Sequence, residues 1–377
     1  MNADPENPVR VLFGAGMLDR IGELAGGRRY ALLTYADPPF AGLAARVVRD
    51  AGAPALLFDR VVPNPSLDML RTLCESARSI EAPIELCIAL GGGSVIDAAK
   101  AFAFGHGDYD VLLDAVAGKP VPPRRVLPII AIPTTAGTGS EVTCWATLWD
   151  TANGRKLSLE RPELYPEAAI LDPLLMTGLS RQQTCASGLD AFSHALESLW
   201  NRNADVCSRG LAVESARIIL DALPCVLADP ASLHERTELA RGALLAGFAF
   251  SRTRTALAHS LSYALTIDYG VPHGIACSFC LPAVMHAALG VSADCDAAIE
   301  TIFGCAPSDA PAKLEAFLTS VGIAVHPSAY GVDADAWKHI VAQAFDGARG
   351  RNFIGTPEAF PDFFAALPRT GKRQAHS

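Results

Sequence analysis

No run of basic residues occurs anywhere in this chain, and its formal net charge is −9. A nucleic-acid partner needs a positive footprint, so that class is excluded. The acidic start Met1-Asn2-Ala3-Asp4-Pro5-Glu6 lacks the apolar core of a secretory signal, and a cytoplasmic location is expected. No membrane partner is expected either. The stretch from Tyr269 to Ala293 is free of Asp, Glu, Lys and Arg, but it holds Pro272, Gly274, Pro282 and two histidines. Such a run suits a buried segment beside a polar site better than a lipid-spanning helix. The ten cysteines follow no framework spacing. Cys277 and Cys280 form one CxxC, with no second pair at a zinc-ribbon distance, so the cysteines read as small buried apolar residues in a reducing compartment. Internal repeats and low-complexity tracts are also missing.

What is present is apolar mass and a change of rhythm. Half of the 377 residues are hydrophobic and only 19% are charged, enough for about two sizeable cores. In the first half, short apolar runs alternate with helical periods. Tyr30–Tyr35, Ile84–Leu90 and Val126–Ile132 read as strands, with helices at Ala41–Ala51 and Ser66–Ile80. Pro128 places the third strand near a start or an edge. Strand–helix alternation predicts a mostly parallel sheet flanked by helices. Beyond about Ser180 the pattern is helical, at Thr184–Trp200, Val206–Leu227, Leu233–Phe250, Pro311–Val321 and Ala336–Phe345. The expected architecture is an α/β, Rossmann-like domain over residues 1–180 and an all-α domain over residues 181–377.

Asp190 and His194 sit four residues apart in one of these helical runs. That spacing stacks both side chains on one face, about 6 Å apart. His259 and His273 add two more nitrogens, and an Asp-His-His-His set suits a borderline divalent ion such as Fe²⁺ or Zn²⁺. On one straight helix His259 and His273 would lie about 21 Å apart and could not share an ion. Gly270, Val271 and Pro272 break such a helix just before His273 and let the chain fold back.

Two glycine-bearing loops follow strands. Gly91-Gly92-Gly93-Ser94 opens a helix, where free N–H groups and close backbone approach favour a pyrophosphate. Pro133-Thr134-Thr135-Ala136-Gly137-Thr138-Gly139-Ser140-Glu141-Val142-Thr143 offers hydroxyls for ribose, phosphate and carboxamide contacts. Loops at the ends of neighbouring parallel strands are where α/β sheets bind ligands. The usual GxGxxG fingerprint is absent, and no strand is read before Phe13-Gly14-Ala15-Gly16 to rescue it.

Taken together, the first loop with Asp97 and Lys100, the threonine loop, Gly188–Glu197 around Asp190, and His273-Gly274 with Leu281-Pro282 resemble the iron-containing (group III) alcohol dehydrogenases. The resemblance covers nearly the whole chain, including Pro63-Asn64-Pro65. It implies the two-domain fold shared with dehydroquinate synthase, NAD(P), one divalent metal (Fe²⁺ first, Zn²⁺ or another ion next) and a homodimer. It carries the metal ligands onto Asp190, His194, His259 and His273. It also places Gly92, Gly93 and Ser94 at the pyrophosphate, and Thr134, Thr135, Thr138 and Thr143 along the ribose and nicotinamide. Lys156 would lie near a ribose hydroxyl, with Asp97 orienting the loop. The reaction implied is reduction of a carbonyl by the coenzyme beside the ion.

Three departures bear on specificity. Tyr263 stands where the family often has a further histidine, and it reads as a polar pocket wall, a weak proton donor or a packed core residue. Ser251-Arg252-Thr253-Arg254-Thr255 is unusually basic for a segment next to a ligand. Buried arginines need an anionic partner and suit phosphonate, phosphate or carboxylate. In one continuous helix Arg252 would share the face of His259, two turns away, while Arg254 would point elsewhere. At the adenosine end, Tyr35 or Ala36, with Asp37 close by, takes the place of the usual acid, and NAD and NADP both stay open. The expected activity is reduction of a small anionic aldehyde. The resemblance is strongest to the phosphonoacetaldehyde reductases, which form 2-hydroxyethylphosphonate. The alternatives are reduction of another small aldehyde or semialdehyde, general alcohol oxidation, and, from another class, a dehydroquinate synthase-like lyase.

Overall fold

Continuous apolar segments bury on both faces, and here they form the middle of a parallel sheet. The computed structural model describes residues 6–364; residues 365–377 of the expected helical domain, and residues 1–5, lie outside the described residues. Strands β1 (Arg10–Phe13), β2 (Tyr30–Leu33), β3 (Leu56–Phe58), β4 (Leu86–Gly91) and β5 (Ile129–Pro133) are followed by the pair β6 (Trp145–Asp150) and β7 (Arg155–Glu160), then β8 (Ala168–Leu171). Six of them make one sheet in the order β1-β8-β5-β4-β2-β3, with every neighbouring pair parallel. β6 and β7 form a separate antiparallel hairpin.

Strand periodicity divides the sheet into two faces. Tyr30, Leu32, Ile88, Leu90, Ile130 and Ile132 pack against helices α1 (Ile21–Ala25) and α2 (Pro38–Ala51). Ala31, Leu33, Cys87, Ala89 and Ala131 face α3 (Leu67–Arg78), α4 (Gly93–Gly105) and α5 (Tyr109–Val116). The helices that leave β2 and β4 therefore lie on opposite faces, which opens a crevice at the carboxyl ends of those strands. Gly91 pairs with Pro133 at the ends of β4 and β5, so the two loops read from the sequence emerge side by side.

The remainder is helical: α6 (Arg181–Leu199), α7 (Val206–Ala228), α8 (Leu233–Thr253), α9 (Leu257–Tyr269), α10 (His273–Ala276), α11 (Leu281–Ala288), α12 (Ala293–Phe303), α13 (Ala310–Ser320) and α14 (Ala334–Asp346). Ser180 and Gln183 cap α6 reciprocally, fixing where that helix starts. An N-terminal parallel-sheet domain is thus followed by a helical C-terminal domain, as the change of rhythm implied. Val142, Ala169, Leu171, Leu244 and Phe248 form a small shared core that joins the two. No described helix is long and apolar enough to cross a membrane.

β1, β3, β6, β7 and β8 fall outside the strands read from the sequence. Each is short, and β6 alternates half-buried Trp145, Thr147 and Trp149 with buried Ala146, Leu148 and Asp150. Pro128 lies just before β5, which is a central strand and not an edge. The Phe13-Gly14 turn does follow a strand, β1. That strand lies at the far edge, and the N–H groups of Gly16 and Leu18 donate to Asp172, so the turn is structural.

Lys100 ties α4 to the threonine loop. Its side chain is fully buried, and Nζ donates to Ser140 O at 2.6 Å, Ser140 Oγ at 3.0 Å, Thr143 Oγ1 at 3.2 Å and Trp145 O at 2.8 Å. Lys100→Met keeps the stem but strands buried acceptors, each costing about 1–3 kcal/mol. The variant is expected to unfold at lower temperature and to bind NADH more weakly, read by thermal denaturation and coenzyme fluorescence.

Candidate active site

A cleft of ≈ 860 Å³ runs between the two halves, and it brings most of the sequence-derived candidates together. On the sheet side it is lined by Gly92, Gly93 and Ser94 at the start of α4, whose first turn has no side-chain cap. Uncapped N–H groups and the helix dipole suit a diphosphate. Thr135, Thr138 and Thr143 line the same wall, with Tyr35 and Asn64 at the β2 end. Thr134 is placed differently: it is buried, its N–H donates to Gly91 O, and it does not line the cleft. Asp97 accepts from the Ser140 hydroxyl at 2.6 Å and from Thr147 N–H at 2.9 Å. These bonds tie Asp97 to the threonine loop and to β6, and it also lines the cleft.

On the helical side, α6 carries Asp190 and His194, the N-terminal turn of α9 carries His259, and α10 begins at His273. Gly270, at φ 67°, ends α9, and Pro272 starts the new helix, so His273 returns to the site. Gly274 permits the approach: a Cβ there would lie 1.8 Å from Ala186 O on α6. The Nε2 atoms of His259, His194 and His273 lie 3.4, 3.8 and 3.8 Å from Asp190 Oδ1. His259 Nε2 is buried without a hydrogen-bond partner. Converging imidazole nitrogens around a carboxylate, one of them orphaned, fit a divalent ion.

The tautomers agree with this. Glu197, fully buried, takes His259 Nδ1 at 2.6 Å, and it also accepts the N–H groups of Ala256, Ala258 and His259. Ser262 donates to His259 O and faces His273 Nδ1 at 3.4 Å, which turns Nε2 toward Asp190. Burial holds His194 down to about 4 and His273 down to about 3, so both are neutral at ordinary pH. Burial alone would also lower His259, but the Glu197 and Asp190 carboxylates outweigh it and raise this imidazole.

The tightest grouping of possible ligand atoms, all within 4.8 Å, is Asp190, His259, His273 and Cys277. Cys277 is better placed as a donor. Its thiol reaches Asp190 Oδ1 at 3.5 Å, and burial beside that carboxylate pushes it well above its ordinary range, so it stays protonated. His194, stacked between Phe250 and His259, lies outside that grouping, with Nε2 3.8 Å from the same carboxylate oxygen. All ten cysteines are free, Cys277 and Cys280 included. A divalent metal held by Asp190, His194, His259 and His273 would polarise a carbonyl as a Lewis acid, and a nicotinamide coenzyme would supply the reducing equivalent.

The basic segment before His259 departs from expectation. α8 ends at Thr253, and Arg254 takes φ 66°, so Arg252 and His259 do not share a helix. Arg252 pairs with Glu6 at 2.7 Å and Asp205 at 2.9 Å and does not line the cleft. Arg254, which one continuous helix would have turned away, lines the cleft and pairs with Glu160 of β7. Tyr263 does not line the cleft; its ring carries two cations that do, Lys156 Nζ at 4.3 Å and the Arg349 guanidinium at 5.2 Å. Burial, with Arg349 close by, brings the Lys156 ammonium down to about 7.

Sequence reasoning assigned no role to Glu197 or Arg349. Glu197 had a readable signal, since it lies seven residues after Asp190 on the same helical face. Arg349 had none, because it comes from the far side of α14.

The Glu197 carboxylate orients His259, so Glu197→Gln is expected to weaken metal binding about 10- to 100-fold, measured by chelator competition. A second expectation concerns pH. Metal binding must displace a proton only at His259, since His194 and His273 are already neutral. Below the raised His259 value, affinity should therefore rise with pH at a slope of about one in log K rather than three. Calorimetric titration over pH 5–8 reads that slope.

Comparison with known proteins agrees with this geometry. The iron-containing alcohol dehydrogenase family model matches residues 8–173, and the C-terminal model of the Fe-containing alcohol dehydrogenase family matches residues 184–359. A phosphonoacetaldehyde reductase of Streptomyces viridochromogenes is 34% identical over 277 residues, 68% of this chain and 69% of that protein. A probable alcohol dehydrogenase of Escherichia coli is 33% identical over 286 residues, 74% of this chain and 71% of that one. The crystal structure of a sulfoacetaldehyde reductase from Bifidobacterium kashiwanohense in complex with NAD⁺ is 26% identical, with a TM-score of 0.87 over 93% of this chain and 94% of that one. Both halves therefore place the chain in the iron-containing alcohol dehydrogenase family, as a metal- and NAD(P)-dependent oxidoreductase.

Proposed function

We propose that the chain reduces a small anionic aldehyde, with phosphonoacetaldehyde, giving 2-hydroxyethylphosphonate, as the leading substrate. One observation carries the reading: the cleft that holds the histidine cluster also holds basic side chains without carboxylate partners. Arg254 has Glu160, but the side chains of Lys156 and Arg349 form no hydrogen bond or ion pair among the described residues. Unpaired cations in a cleft favour an anionic ligand. Two of the similar proteins bear names of this chemistry, a phosphonoacetaldehyde reductase and a sulfoacetaldehyde reductase. The resemblance to a probable alcohol dehydrogenase supports the second reading, a plain alcohol or aldehyde substrate.

In this reading Asp190, His194, His259 and His273 hold the metal, and Gly92, Gly93 and Ser94 take the coenzyme pyrophosphate. Thr135, Thr138 and Thr143 follow the ribose and nicotinamide, with Lys156 at a ribose hydroxyl. We extend it to a cytoplasmic homodimer whose two domains divide at residue 180.

The test is a panel of phosphonoacetaldehyde, succinic semialdehyde and butanal with NADH and NADPH, on protein loaded with Fe²⁺ or Zn²⁺. The phosphonate is expected to show the highest kcat/KM, with one coenzyme consumed per aldehyde. Equal turnover of butanal would discard the anionic preference. Product formation without net coenzyme loss would move the chain to the lyase class.

A further inference from the structure

Of the basic groups near the cleft, Arg349 has the surroundings of a receptor. Arg252 is consumed by Glu6 and Asp205, and Arg254 by Glu160. Arg349 lines the cleft, and its guanidinium lies over the Tyr263 ring, with no ion pair among the described residues. Its loop is held firmly. Ser260 of α9 donates to Ala344 O at 2.9 Å, and a Cβ at Gly350 would come within 1.9 Å of that same carbonyl. The guanidinium is thus positioned before any ligand arrives.

Two further features mark the spot as incomplete. Thr266 lines the cleft, and its hydroxyl is buried with no hydrogen-bond partner. It lies three residues after Tyr263, so the two share a helical face with His259. Lys156 Nζ lies 4.3 Å from the centre of the same Tyr263 ring, so two basic groups share one aromatic side chain. Tyr263 lies four residues, about 6 Å of rise, from His259 on the same helix. The histidine cluster and Arg349 open into one cleft, which lets a single small ligand present its carbonyl to the first and its charge to the second.

We infer that Arg349, seated on Tyr263 and joined by the Thr266 hydroxyl, is the receptor for the anionic end of the substrate and sets the preference for charged over neutral aldehydes. The inference rests on the anionic-aldehyde reading above and assigns it to one side chain. Arginine suits the task because its fork gives paired, charge-assisted hydrogen bonds to a phosphonate, sulfonate or carboxylate. The coenzyme diphosphate has its own seat at the start of α4, which leaves this site to the substrate.

Arg349→Met and Arg349→Lys test this. In Arg349→Met the ratio of kcat/KM for phosphonoacetaldehyde over butanal is expected to fall about 10- to 100-fold, mainly through KM, and Arg349→Lys is expected to restore part of it. A direct readout is calorimetric binding of methylphosphonate to protein without added metal, expected for wild type and lost in Arg349→Met. Equal loss on both aldehydes, or a weaker NADH Kd in place of a changed ratio, would overturn the assignment and make Arg349 a structural or coenzyme group. If wild type shows no preference for the anion, the functional reading fails. The receptor assignment is then decided separately by methylphosphonate, which must bind wild type and not Arg349→Met for it to stand.

Discussion

The buried Glu197 carboxylate is the contact on which the site depends. It sits on α6, two turns beyond Asp190, and takes three backbone N–H groups from the start of α9 together with His259 Nδ1. α9 has no capping side chain of its own, so Glu197 serves as its cap and compensates its dipole. The same contact sets the tautomer of His259. An isolated carboxylate at full burial would be costly; burial tends to raise Glu197, and His259 with the amide donors brings it below its usual value. Helix pairing and ligand orientation are therefore one interaction, and neither can be relaxed alone.

The two halves contribute different chemistry to the cleft. The sheet offers what strand ends always offer, backbone N–H groups and hydroxyls in loops fixed from behind by Lys100 and Asp97. The helical half offers side chains at helical spacing, with Asp190 and His194 one turn apart on α6. The halves meet through an apolar patch around Val142 and Phe248, the Tyr165 hydroxyl against Ser251 Oγ at 3.0 Å, and the Arg254–Glu160 pair at the rim. Arg254 stands at φ 66° in the link between α8 and α9. That link turns the chain so that His259 faces Asp190 and Arg252 is left outside.

Much of this was legible in the sequence where the physics is local. Asp190 and His194 lie four residues apart and must share a face. Gly270 and Pro272 must end a helix. An apolar run closed by Gly91-Gly92-Gly93 must be a strand delivering a helix N-terminus. The Asp190–His194 pair, the two loops and the order of sheet before helices follow from such rules, whereas the part of His259 and His273 came from the family resemblance. Short strands such as β1, β3 and β8 escaped because three or four residues carry no period of their own, and partners distant in sequence decide their state.

The charged wall of the cleft was decided elsewhere. The sequence determined that arginines stand near a metal-ligand helix; it did not determine which one faces inward. Arg252 is drawn outward by Glu6 and Asp205, one at the start of the chain and the other capping α7, and its place on the His259 face is lost where the backbone breaks. Arg349 takes the inner position because α14 packs on α9 and a glycine-bounded turn lays its guanidinium on Tyr263. Local spacing fixed the Asp190–His194 pair, because two side chains on one helical turn need no distant partner. Only the tertiary structure chose the charge beside it, because an ion pair is settled by whichever opposite charge the fold brings within reach.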